Sequence, residues 1–270
     1  LSTKLNRYPL PFPFIVRAIR VSLTPQVLLS INLPSCRTLR NDASPARNEI
    51  KDRLLRELEN NDFAACWIVH DQRLENTAEI AQLSDASQEV SVYLNVTTSP
   101  NQRAALSTQL TNLTERSRKL GVRVTTLSTN QKIDEGNLNL LVRNRMSMVN
   151  QYCGIQKTLR SIKSLEPSSL RFGIWEVPAP LQWTKQISNP VGELILKSAM
   201  RFQSKRPFQH IQIDIQSILN NKTSVNKIAR LLRSLNRMRE QGKIEVTPIR
   251  SAAIVLRQLQ FKQSNHIPAA

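Results

Sequence analysis

Chemistry in this sequence has to come from few residues, because its 270 positions hold only three histidines, His70, His210 and His266. His210, Gln212 and Asp214 alternate through His-Ile-Gln-Ile-Asp-Ile, and a period of two puts all three on one face of a strand. A row of imidazole, amide and carboxylate can ligate a cation or hydrogen-bond a sugar; it can equally be a satisfied polar ladder in a core. His70 and Asp71 adjoin where an apolar run ends. They are a metal-ligand pair in type, yet neighbouring strand residues point apart, and an exposed loop histidine looks the same in sequence. Trp175 and Glu176 could set a carboxylate beside a sugar-stacking indole, or place the indole in the core. His266 lies in a polar tail and is expected to face solvent. No Ser-His-Asp or Cys-His arrangement has a recognisable spacing. Cys66 sits mid-strand among apolar residues, which suits packing and not a thiolate.

The elements that must position these residues are organised around Phe63 to Asn95. Phe63-Ala64-Ala65-Cys66-Trp67-Ile68-Val69 is an apolar run suited to a strand covered on both faces. A short amphipathic piece, Thr77 to Leu83, supplies the crossover that a parallel pair needs before Glu89 to Asn95 runs as the next strand. The alternation extends in both directions. Gln26 to Leu33 is a first strand closed by Pro34, and Ser44-Pro45 starts a helix whose Ile50, Leu54 and Leu58 form one buried stripe. Ser99-Pro100 repeats the start signal for a helix that Gly121 ends. Val122 to Leu127 and Met146 to Val149 are further strands, with the Leu138, Leu140, Leu141 helix between them. Asn150 to Pro167 is ambiguous. Phe172 to Val177 and His210 to Ile215 are strands, Val191 to Phe202 and Ser224 to Gln241 are helices, and Lys243 to Ile249 is a last strand, followed by a helix carrying Ile254, Leu256 and Leu259. Within Ser224 to Gln241, Ile228, Leu231, Leu235 and Met238 oppose Lys227, Arg230, Arg233 and Arg237.

This pattern predicts an α/β fold, a distorted (β/α) TIM-like barrel of about 7–8 parallel strands in a single domain. The domain is expected over residues 26–260, after a Pro-rich basic arm at 1–25 and before a polar tail at 261–270. Its site would lie at the carboxyl ends of the strands, where Asn32, His70, Asp71, Asn95, Glu176 and Asp214 fall. Six glycines and no G-x-G-x-x-G or G-x-x-x-x-G-K leave no Gly-rich phosphate loop. Three cysteines, Cys36, Cys66 and Cys153, at unrelated spacings argue against a disulfide framework and a CxxC zinc site, and for a reducing compartment. Pro9, Pro11 and Pro13 interrupt the early apolar stretch, no run reaches a membrane span, and a cytoplasmic protein is expected. The chain starts at Leu1, so an upstream portion is expected. A net charge of +18 permits attraction to polyanions, although the cations are scattered at helix-surface spacing and aromatics make up only 5%.

Phe63 to Leu94, with Ala65-Cys66-Trp67-Ile68-Val69 and then Gln88-Glu89-Val90-Ser91-Val92-Tyr93-Leu94, resembles the strand–helix–strand wording of polysaccharide deacetylases. Gly121 to Val149 and His210 to Thr247 resemble later parts of the same family, so the likeness covers roughly 26–255. It implies a barrel of carbohydrate metabolism and zinc-assisted amide hydrolysis by an Asp-His-His metal set with a second Asp as base. At the family's T-F-D-D strand end this sequence has Ser30-Ile31-Asn32-Leu33. The two histidines of its H-T-x-x-H motif fall at Tyr93 and Thr97, and its arginine-proline-tyrosine strand end falls near Thr125-Thr126-Leu127. The resemblance therefore implies a degenerate member with no metal and no other cofactor expected, a non-catalytic carbohydrate-binding or regulatory pseudo-enzyme. Its partner would be a carbohydrate or an acidic polysaccharide, met by a pocket of Asn32, His70, Asp71, Tyr93, Asn95, Thr97, Trp175, Glu176, His210, Gln212 and Asp214. One alternative is an active carbon–nitrogen hydrolase, a sugar deacetylase that uses zinc through a rearranged site. Another is binding of nucleic acid or another polyanion by the basic surface.

Overall fold

The computed structural model describes residues 24–33, 44–70, 77–96, 102–151, 167–177, 181–182, 208–219 and 223–264. Residues 1–23 of the N-terminal arm, Asp71, Thr97, the Ser99-Pro100 start, most of the ambiguous segment, the helix expected at Val191 to Phe202 and His266 lie outside them. The strands are β1 (Gln26–Asn32), β2 (Cys66–His70), β3 (Glu89–Leu94), β4 (Thr126–Thr129), β5 (Met148–Gln151), β6 (Ser168–Ser169), β7 (Trp175–Val177), β8 (Leu181–Gln182), β9 (Phe208–Asp214) and β10 (Glu245–Thr247). The helices are α1 (Ser44–Asn60), α2 (Thr77–Asp85), α3 (Gln102–Lys119), α4 (Leu138–Arg143), α5 (Ile215–Leu219), α6 (Thr223–Glu240) and α7 (Ile249–Ser264). Among the described residues no helix is long and apolar enough to cross a membrane.

All strands join one 10-stranded sheet in the order β6-β7-β5-β4-β3-β2-β1-β9-β8, with β10 paired to the first half of β1. Every pairing is parallel except that of the short β6 with β7. In a flat sheet the seven gaps from β7 to β8 would hold those strands about 34 Å apart. Only residues 178–180 separate them in the chain. Four Cα steps reach at most about 15 Å. The sheet must therefore curl back on itself, and the architecture is a distorted barrel of parallel strands.

Strand alternation divides the side chains between two layers. Val27, Leu29 and Ile31 of β1, Trp67 and Val69 of β2, Val90 and Val92 of β3, and Ile211 and Ile213 of β9 face outward and pack on α1 to α6 in one buried cluster. Inward lie Leu28, Cys66, Met148, Trp175, Val177 and Phe208, and these pack on Ile249, Ala252, Ala253 and Leu256 of α7. Helix α7 is thus a plug at the amino ends of the strands and not one more outer layer. Ile254, on the other side of α7, faces solvent at 62% exposure. The helix also runs to Ser264, four residues into the segment expected to be a polar tail.

The plug is held by a carboxylate. Glu89, on the inner face of β3 and almost fully buried, accepts hydrogen bonds from the Thr126 hydroxyl and, at 2.9 Å, from the Arg250 backbone N–H in the first turn of α7. Burial raises its carboxyl above the ordinary range; the Arg250 and Thr126 bonds oppose this. A raised folded-state value means that stability is fully present below the unfolded value and is lost as pH rises through the folded one. Glu89→Ala is expected to lower unfolding free energy by about 1–3 kcal/mol, because a buried donor loses its acceptor. Glu89→Gln should lower it less and flatten the loss between acid and neutral pH, as read by denaturant unfolding at pH 4.5 and pH 7.

Candidate functional site

The carboxyl ends of β1 and β9 are fixed by a register in which Gln26 to Asn32 pairs residue for residue with Phe208 to Asp214. The strands are parallel, so partners on the inner face lie side by side. Asn32 sits opposite Asp214, and its Nδ2 donates to Asp214 Oδ1 at 3.2 Å. One layer deeper, Ser30 sits opposite Gln212, and Ser30 Oγ lies 2.8 Å from His210 Nε2, the donor depending on the histidine tautomer. Gln212, 1% exposed, has no hydrogen-bond partner for either amide atom.

The opposite wall is also polar. His70 and Tyr93 are register partners on β2 and β3, and their rings stack with centroids 4.7 Å apart and planes tilted by 52°. Burial raises the Tyr93 phenol above its ordinary value, so it stays a neutral donor. Ser91 Oγ donates to the Thr126 carbonyl at 3.0 Å and lies 3.2 Å from Ser128 Oγ. Asn150 Nδ2 reaches Ser128 Oγ at 3.5 Å, while its buried Oδ1 has no partner. The inner face thus offers hydroxyls, amides, the imidazoles of His70 and His210, and the carboxylates of Glu89 at the amino ends and Asp214 at the carboxyl ends.

Several expected pocket residues are not brought to this face. Glu176 has the outward parity of β7 and accepts a bond from Ser168 Oγ at 3.3 Å; Trp175 faces inward but belongs to the apolar cluster against α7. Asn95 is exposed beyond the end of β3. The residues missed in the sequence are Ser30, Glu89, Ser91, Thr126, Ser128 and Asn150. Their signal was available, since each alternates with an outward apolar neighbour, as in Val90-Ser91-Val92. Cys66 faces inward beside Glu89, and burial first, then that carboxylate, push its thiol well above the usual range. It is no thiolate nucleophile.

Among the described residues no group of three or more His, Cys, Asp or Glu could hold a metal ion. Along the described carboxyl ends the charged or imidazole donors are Asp214, whose Oδ1 already accepts from Asn32, and His70, stacked on Tyr93. A divalent ion needs deprotonated ligands, commonly three from the protein. The described donor set does not fit one.

No protein-family model and no curated protein sequence matches the chain. Solved structures do. A Mycobacterium smegmatis protein described as a polysaccharide deacetylase is 12% identical, with a TM-score of 0.67 over 95% of this chain and 96% of its own. A mutant of BA3943, a CE4-family pseudoenzyme with restored enzymatic activity, is 15% identical, with a TM-score of 0.52 over 85% of this chain and 68% of its own. Peptidoglycan deacetylase PdaC from Bacillus subtilis is 12% identical, with a TM-score of 0.50 over 91% and 98%. The chain has the fold of the polysaccharide deacetylases.

Asn32→Asp would face a second carboxylate at the Asp214 position. Two such groups cannot both ionise cheaply, so the pair holds one proton to a raised pH. The variant is expected to match the parent in acid and to lose stability as pH rises toward neutrality, as read by thermal unfolding at pH 4 and pH 7.

Proposed function

We propose that this protein binds carbohydrate at the carboxyl-end mouth of its barrel and does not carry out the metal-assisted deacetylation that its structural neighbours' names denote. The observation that carries the reading is the polar ladder between β1 and β9. Gln212 presents an unpaired buried amide between the Ser30–His210 contact and the Asn32–Asp214 bond. A buried amide without partners costs several kcal/mol when isolated from water, on the order of 1–3 by mutational measures. A sugar hydroxyl, both donor and acceptor, satisfies such a group where an apolar ligand cannot. Together with Tyr93 and His70 the ladder is a set of hydrogen-bonding groups around one carboxylate, Asp214, suited to polyols. The neighbours include a peptidoglycan deacetylase and a polysaccharide deacetylase, which supports carbohydrate as the ligand class.

The test is calorimetric titration of metal-free protein with zinc and, separately, with neutral acetylated and deacetylated oligosaccharides, followed by assay for released acetate. Oligosaccharide binding that Asn32→Ala weakens at least tenfold, with no zinc binding at micromolar affinity, is the expected result. Zinc binding at micromolar or tighter affinity, or acetate release abolished by Asp71→Ala or His210→Ala, would overturn it in favour of an active hydrolase with a rearranged site.

A further inference from the structure

Helix α6 buries Ile228, Leu231, Leu232 and Leu235 against the sheet and leaves Arg230, Arg233 and Arg237 exposed on the other side. At 100° per residue these three, with Asn226 one turn before them, fall within a stripe about 60° wide, and from Asn226 to Arg237 it rises about 16 Å. The neighbouring α1 joins the stripe at its start, where Arg53 Nη2 donates to Asn226 Oδ1 at 2.6 Å. None of the three arginines makes an ion pair or hydrogen bond among the described residues. The one acid on α6 itself, Glu240, accepts from Asn236 at 3.0 Å and does not pair with the stripe.

An ordinary solvated helix face mixes signs, because like charges three or four residues apart destabilise the helix. Here i, i+3 and i+7 are all guanidinium. Other arginines of the fold are engaged structurally: Arg239, on the far side of α6, donates to the carbonyls of Asp62 and Asn61 at 2.8 and 2.9 Å and lies 4.8 Å over the Phe63 ring. The unpaired stripe is thus a local cost to the helix that an external anion would remove.

We propose that this stripe docks a linear anionic polysaccharide. The inference rests on the carbohydrate reading above and names the charge of the ligand. Helix α6 begins nine residues after Asp214, and in a β/α barrel the helices run antiparallel to the strands, so the stripe leads away from the mouth along the outer wall. Guanidinium forks at successive turns suit carboxylates repeated along a chain. Nucleic acid is disfavoured because the exposed large apolar residues, Val142, Phe172 and Ile254, are not on α6, which leaves no stacking platform for bases.

The experiment compares polygalacturonate with its methyl-esterified form by affinity electrophoresis of the full chain at low and physiological salt. The variants are Arg230→Gln/Arg233→Gln/Arg237→Gln and Arg233→Gln alone. Expected are a preference for the charged polymer, about tenfold weaker binding in the triple variant from three exposed contacts, and a shallower salt dependence. Unchanged thermal unfolding of the variants certifies folding. Equal binding of the two polymers, no effect of the triple variant, or stronger retention by RNA or anionic vesicles than by polygalacturonate would overturn the proposal. Binding of neutral oligosaccharide should be the same in the triple variant and the parent. Its loss in Asn32→Ala alone reports on the mouth, so the two readings fail separately.

Discussion

The pairing of β1 with β9 is the constraint on which the rest depends. Seven residues of each strand meet in unbroken parallel register, and all seven of β1 are buried. A strand buried on both faces must satisfy every backbone group through its edges, so β1 also takes β10 along its first half and β2 along its second. A one-residue slip of β9 along β1 would turn His210, Gln212 and Asp214 outward and bring Ile211 and Ile213 into the interior. The apolar outer layer and the polar inner ladder therefore specify each other.

The interior is graded from one end to the other. At the amino ends α7 closes it with small and branched apolar side chains, and Glu89 ties the first turn of that helix to β3. Toward the carboxyl ends the same strands turn polar, from Ser30 and Gln212 to Asn32 and Asp214. An apolar floor under a polar mouth confines a ligand of the interior to the strand ends, where the loops of a β/α barrel can reach it. The ladder differs from a metal centre in kind: amides and hydroxyls exchange donors and acceptors with water or sugars at little cost, but they cannot balance a divalent charge.

Much of this was legible in the sequence, for identifiable reasons. Apolar runs such as Cys66–Val69, too short for a helix of their own, suit strands covered on both sides, and Gly121 and Gly242 mark helix ends at φ +68° and +66°. Other ends use the same left-handed device without glycine. Asp62, Ser87 and Arg145 have φ of 50°, 56° and 58°, and the next residue's N–H returns to the helix, as Phe63 does to the Leu58 carbonyl at 2.9 Å. Nothing in those residue types announces the turn. Phe172, at φ 63°, likewise begins no strand, so β7 starts only at Trp175 although Phe172-Gly173-Ile174 reads as part of the run. The His210, Gln212, Asp214 face was readable from alternation. Its partners on β1 were not, because register is a tertiary property.

The central claim is that a deacetylase-type barrel here presents a hydrogen-bonding mouth to a sugar and not a metal centre. A crystal structure grown with both a neutral oligosaccharide and a zinc salt tests it directly. The account predicts sugar hydroxyls within about 3 Å of Gln212 and the Asn32–Asp214 pair, with no ion among them. An ion held by three protein ligands at about 2.0–2.2 Å at the strand ends, or a sugar bound away from β1 and β9, would contradict it.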